Sequence, residues 1–161
     1  SRARIEGAGP DTAGPDTPVP DPMCGIAGLV DFDGLDPALA RTRSSAAMPR
    51  LALRGPDGQG AWADAHCALT HARLAIIDLS EAGAQPMRRG PLAITYNGEI
   101  FNYRELRAEL QRRGHAFHSG SDTEVLLAGW QEWGEGLLPR LTGMFAFAIW
   151  DAERRRLVAA Q

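Results

Sequence analysis

The apolar positions of this chain fall into short blocks of different period, and the blocks predict its elements in turn. Residues 25–32 are short, mostly apolar and glycine-bearing, the pattern of a buried strand, and Asp33-Gly34 ends it. Asp36-Pro37 offers an N-cap and a proline at the first helical position, and the helix it opens runs towards Leu53. Pro49 should kink or restart that helix. Arg54-Gly55-Pro56-Asp57-Gly58 reads as a turn, and 62–69 suggests a hairpin. Residues 74–79 and 92–96 read as strands separated by a loop with Gly83 and Pro86. Residues 102–113 form an amphipathic helix, with Leu106 and Leu110 on one face and Gly114 as its stop. Ser121 with Glu124 three residues on predicts a capping box and a helix reaching about Trp133. Residues 144–150 and 156–160 look like a hairpin around Asp151-Ala152-Glu153. Strands and helices come in blocks rather than in strict alternation, so an α+β fold with mainly antiparallel sheets is expected.

Residues 1–22 lie outside this pattern. Ala8-Gly9-Pro10-Asp11-Thr12 recurs at once as Ala13-Gly14-Pro15-Asp16-Thr17, followed by Pro18, Pro20 and Pro22. Such a stretch buries too little apolar surface to offset its ordering entropy and reads as a disordered Pro/Gly-rich extension or propeptide. The remaining residues, 23–161, suffice for one domain with a sizeable core. A net charge of −3 makes no case for nucleic acid or an anionic membrane surface, and no apolar run is long enough to span a bilayer. Two cysteines, Cys24 and Cys67, do not make a disulfide framework, and a reactive thiol needs a reducing compartment; the cytoplasm is expected.

Candidate chemistry begins at Met23-Cys24-Gly25. A chain starting at Cys24 carries a thiol and a free α-amine on one carbon. An amine of pKa about 7.7–8.0 can accept the proton of a thiol of about 8.5. The plainer alternative is a small inert cysteine at the head of a strand. Tyr96-Asn97-Gly98-Glu99 could turn the chain so that the Asn97 carboxamide and the Gly98 N–H face one space as oxyanion donors, although Asn-Gly is also a common hairpin turn. Arg73, at the edge of an apolar strand, could bind a carboxylate through two parallel hydrogen bonds or simply flank the core. Asp122 sits in a first helical turn, where the macrodipole alone accounts for it. His71 reads as a hydrogen-bonded structural residue and Cys67 as a strand-interior one. His66, His71, His115 and His118 show no metal-ligand spacing, so no metal is expected.

Taken together, these segments resemble a known family. Met-Cys-Gly-Ile, Arg-Gly-Pro-Asp-Gly, His-x-Arg-Leu-Ala-Ile-Ile-Asp-Leu-Ser, Gly-x-Gln-Pro-Met, Tyr-Asn-Gly-Glu-Ile-Phe-Asn-Tyr, Gly-Ser-Asp-Thr-Glu and Gly-Met-Phe-Ala-Phe-Ala-Ile-Trp-Asp occur in order. From Met23 to Gln161 the chain is similar to the N-terminal glutaminase domain of glutamine-hydrolysing asparagine synthetases, the class II glutamine amidotransferases. The resemblance implies an N-terminal-nucleophile hydrolase sandwich, two antiparallel sheets between helical layers, incomplete here at the C-terminal end. It implies hydrolysis of L-glutamine through a thioester on Cys24, with the α-amine as base. Arg73 would bind the substrate's α-carboxylate, with backbone groups of Leu74, Ile76 and Ile77 alongside. Asn97 and Gly98 would form the oxyanion hole, Glu99 and Asp122 would hold the α-ammonium, and Arg54 would support the site.

Implied partners are a fused C-terminal synthetase domain, outside this chain, and a second copy of the full-length enzyme. ATP and magnesium belong to that domain, and no cofactor is expected in this one. A relative that amidates another acceptor would share the same chemistry, and a non-catalytic domain could keep the fold. An N-terminal-nucleophile acylase or protease would share Cys24 without needing both Arg73 and Asp122. Glucosamine-phosphate amidotransferases usually carry His-Thr-Arg-Trp where this chain has His71-Ala72-Arg73-Leu74. The chain departs from the family at Leu53, where histidine is usual, and at Pro49. With Met23 ahead of Cys24 and no strands after Gln161, the chain as written is expected to be a catalytically silent fragment.

Overall fold

The computed structural model describes residues 2–5, 23–52, 55–74 and 81–161. Along these the chain forms β1 (Arg2–Ile5), β2 (Gly25–Asp31), α1 (Pro37–Ser45), α2 (Met48–Leu51), β3 (Gly58–Ala63), β4 (Cys67–Arg73), β5 (Met87–Arg89), β6 (Leu92–Ile100), α3 (Tyr103–Arg112), α4 (Asp122–Trp133), β7 (Gly143–Asp151) and β8 (Arg156–Ala160). Two four-stranded antiparallel sheets result, ordered β1-β2-β4-β3 and β5-β6-β7-β8. The architecture is α+β, two antiparallel sheets with helices against their outer faces.

Local chemistry sets the helix boundaries. The Asp36 carboxylate accepts from the Ala38 and Leu39 amides at 2.8 and 2.9 Å, capping α1. The helix stops at Ser45 and restarts as α2, with Pro49 in the first turn, where a missing N–H costs nothing. Leu51 of α2 is buried against β2, where Gly25 leaves room that a Cβ would fill at 2.9 Å from the Leu51 Cβ. On the second sheet, Ile94 and Tyr96 of β6 and Phe147 and Ile149 of β7 pack against Leu106 and Leu110 of α3 and against α4. Burying each such large side chain contributes about 1.5–3 kcal/mol, which makes this the main core.

Between the sheets, Val30, Cys67 and Leu69 meet Ala93 and Trp150. The Trp150 indole donates to Asp64 at 2.7 Å, and the same side chain accepts from the Cys67 amide at 2.7 Å. Strand register carries this layer towards the other end of the sheets. Val30, Gly28 and Ile26 lie opposite Cys67, Leu69 and His71, and Ala93, Thr95 and Asn97 lie opposite Trp150, Ala148 and Ala146.

Several expectations need correction. Residues 2–5 form a strand on β2, with Ile5 opposite Gly28, so disorder does not describe them. Composition reports what a segment can bury, not whether a sheet edge offers it backbone partners; 6–22 lie outside the described residues. No strand begins at Leu74: β4 ends at Arg73, where its partners end at Gly25 and Gly58, and 75–80 lie outside the described residues. Asn97-Gly98 does not turn the chain but lies inside β6, because β7 pairs with it over nine residues, from Leu92↔Asp151 to Ile100↔Gly143. The capping box is half made. Ser121 Oγ accepts from the Glu124 amide at 3.3 Å, but the Glu124 carboxylate accepts from Ser119 Oγ at 2.7 Å and from the Ser119 and His118 amides.

Candidate active site

Cys24 lies one residue ahead of β2, and pairing of Gly25 with Ala72 brings it beside the end of β4. The Leu74 amide donates to Cys24 Sγ at 3.2 Å, and the thiol donates to the Leu74 carbonyl at 3.4 Å. Burial pushes the thiol's pKa up, and the Leu74 backbone and the Arg73 charge offset this only in part. Reaction at this sulfur therefore calls for a base. The turn before β3 is pressed onto the same strand end: the Asp57 amide donates to the Arg73 carbonyl at 2.9 Å. A Cβ at Gly55 would overlap the Ala72 carbonyl, so only glycine permits this approach.

The second sheet supplies the opposite wall. Asn97 is half-buried, Gly98 and Glu99 are exposed, and Gly98 has φ +145°. A side chain at Gly98 would also overlap the Met144 carbonyl on β7. Asp122, at the start of α4, is 4% exposed and reaches β6 through its side chain. Its Oδ2 accepts from the Tyr96 hydroxyl at 2.6 Å and from the Ile100 amide at 3.1 Å. Burial nevertheless holds its carboxyl pKa above the ordinary value, and burial beside Asp122 pushes the Tyr96 phenol upward.

These groups line one cavity of about 420 Å³: Cys24, Arg73, Leu74, Asn97, Gly98, Glu99 and Asp122 all face it. Seven of the ten candidate site residues thus come together; Arg54, Ile76 and Ile77 lie outside the described residues. A second space of about 570 Å³ between the sheets shares Cys24 and Asn97 and is otherwise lined largely by apolar side chains and glycines, Gly28, Ala146, Ala148 and Ala159 among them. One cation and two carboxylates around a thiol suit a small zwitterion carrying an acyl group.

Sequence reasoning passed over Tyr96 and Gln85, which line the same cavity. Tyr96 reads as a core aromatic, and its ring is indeed buried; the hydroxyl's partner comes from α4, 26 residues away. Gln85 falls within the Gly-x-Gln-Pro-Met motif, but it sits in a loop without periodicity, and its residue type alone assigns it no role. His71 is wholly buried, with Nδ1 3.3 Å from Thr95 Oγ1, and burial with the nearby Arg73 charge lowers its pKa to about 4. Cys67 is wholly buried and its thiol is pushed far up. Among the described residues no group of three or more His, Cys, Asp or Glu side chains could hold a metal ion. No described helix is long and apolar enough to cross a membrane.

A thiol, a guanidinium, an Asn-Gly pair and a helix-borne carboxylate are gathered at one end of two antiparallel sheets. The sequence pattern of the glutamine amidotransferase domain matches residues 23–161, and the chain belongs to that family. It is 44% identical over 147 residues to asparagine synthetase [glutamine-hydrolyzing] 3 of Bacillus subtilis, an alignment covering 86% of this chain and 23% of that protein. It is 42% identical over 135 residues to asparagine synthetase B [glutamine-hydrolyzing] of Escherichia coli, covering 82% and 24%. The chain thus spans about a quarter of the length of these relatives. Among solved structures, the glutamine phosphoribosylpyrophosphate amidotransferase of B. subtilis superposes with a TM-score of 0.46 at 26% identity, over 55% of this chain and 22% of that one.

Proposed function

We propose that this domain hydrolyses glutamine to glutamate and ammonia through a thioester on Cys24. The observation that carries the reading is the single cavity that Cys24, Arg73, Asn97, Gly98, Glu99 and Asp122 share. The Cys24 sulfur attacks the side-chain amide carbon of glutamine, and the α-amine of a Cys24 at the chain start takes the thiol proton. The Asn97 carboxamide and the Gly98 N–H stabilise the oxyanion. As the C–N bond breaks, the ammonium returns that proton to the leaving nitrogen and ammonia departs. Water then cleaves the thioester, giving glutamate and the free thiol. Arg73 holds the α-carboxylate, and Glu99 and Asp122 hold the α-ammonium; Leu74, Ile76 and Ile77 contribute backbone groups and Arg54 supports the site.

The mechanism requires residues 1–23 to be absent, because behind Met23 the Cys24 nitrogen is an amide and no base. We further propose that the ammonia passes to a fused ATP-dependent synthetase domain that makes asparagine from aspartate, in the reducing cytoplasm. The names and lengths of the relatives support this acceptor. The test is to incubate the full-length protein, beginning at Cys24, with glutamine, quench in acid and weigh the N-terminal peptide. A glutamyl adduct on Cys24, with ammonia release, is expected; ammonia release from protein still carrying residues 1–23 would overturn the α-amine mechanism.

A further inference from the structure

Gln85 stands where β5 runs out. Met87 pairs with Ile94, so the next antiparallel partner of β6, opposite Tyr96, would be residue 85. The side chain takes that place: the Tyr96 amide donates to Gln85 Oε1 at 2.7 Å. An N–H can only donate, so the other end of the carboxamide is the donor, and Nε2 lies 3.3 Å from Thr123 Oγ1 on α4. Thr123 follows Asp122, whose carboxylate accepts from the Tyr96 hydroxyl at 2.6 Å. Backbone and side-chain links thus close a ring through Gln85, Tyr96, Asp122 and Thr123. The Gln85 main chain is seated from the far side too, since a Cβ at Gly60 of β3 would overlap its carbonyl oxygen.

This ring spans two elements that grip one substrate in the glutaminase reading: β6, which carries the oxyanion donors and Glu99 of the α-ammonium pair, and α4, which carries Asp122. Asn97 and Gly98 on β6 face the amide end and Asp122 on α4 the α-ammonium end, and glutamine's covalent length fixes the separation they need. Resting on the glutaminase reading above, we propose that Gln85 is a positioning residue that sets Asp122 at the distance glutamine requires, and so a determinant of α-ammonium recognition. Asp122 is buried and bonded to β6 only through side-chain and amide contacts, so a shift of α4 would move its carboxylate directly. Gln85 touches no reacting atom in this scheme; it acts through Tyr96 and Thr123.

The test measures binding by calorimetry in the full-length protein carrying Cys24→Ala, which needs no turnover, with L-glutamine and with glutaramate, the same molecule without its α-ammonium. Gln85→Leu should weaken L-glutamine by roughly tenfold, the loss of about one to two hydrogen bonds, and leave glutaramate unchanged. Thr123→Val, nearly isosteric, should give the same selective loss, and the double variant should lose little more than either alone. Equal weakening of both ligands, or additive losses, would reduce Gln85 to a fold support and overturn the proposal. Glutamine hydrolysis by the enzyme with Cys24 intact is measured separately. Its absence, with selective binding kept, would overturn the glutaminase reading and leave the positioning role standing. Failure of the parent protein to bind glutamine at all would overturn both.

Discussion

The two ends of the layer between the sheets draw on the same four strands, β2, β4, β6 and β7, yet they behave as different materials. At one end Val30, Cys67, Leu69, Ala93 and Trp150 close on one another with almost no exposure. At the other, Cys24, Arg73 and Asn97 stand around open space, and glycine replaces side chains at Gly25 and Gly98. The two cysteines carry the difference. Burial raises both thiols, but Cys67 has only the Asp64 charge nearby, which raises it further, whereas Cys24 has the Leu74 amide and the Arg73 guanidinium working against burial. The difference between the two thiols follows from where packing is given up and a cation admitted, not from residue type.

The sharpest break of this contrast is Cys24→Ala. It should lower glutamine hydrolysis by at least about 10³-fold while leaving stability within about 1 kcal/mol, read by ammonia release and thermal unfolding. The mirror experiment is Trp150→Ala at the packed end, expected to cost about 3–5 kcal/mol in denaturant unfolding and to reach the site only through stability.

His71 stands between the two ends and offers a pH test. Its folded pKa of about 4 lies below the ordinary 6.5, so between those values the unfolded chain binds the extra proton. Stability should therefore be unaffected above pH 6.5, fall as pH drops through this window, and lose about 3 kcal/mol by its lower edge. His71→Gln should flatten that stretch of the stability–pH curve; an unchanged curve would remove His71 as its cause.

Arg73→Lys should raise KM for glutamine about tenfold with kcat changed much less, because an ammonium cannot make the two parallel hydrogen bonds of a guanidinium. The smallest effect is expected at Cys67→Ala, about 1 kcal/mol or less of stability and no change in hydrolysis. A large activity loss there would mean that the two ends are not separable.

Local rules made much of this molecule legible before any coordinates. Asp36-Pro37, Pro49, Gly114 and Ser121 mark helix ends because capping and helix breaking involve only neighbouring atoms. The α+β class followed from the order of periodic blocks, and the full set of candidate site residues from the family resemblance that the ordered motifs carry.

What lay beyond reach was every feature that depends on a partner distant in the chain. Asn97-Gly98 reads as a turn until nine residues of β7 hold it in a strand. The strand edge that accepts residues 2–5 is invisible to composition. Asp122 reads as a first-turn carboxylate that the macrodipole accounts for, and only the approach of Tyr96 and Ile100 from β6 shows its carboxylate bonded across to the second sheet. A sequence encodes which atoms can pair within a turn or two of chain. Which distant atoms arrive, and therefore which carboxylate is a staple and which lines the cavity, is settled only when the sheets close.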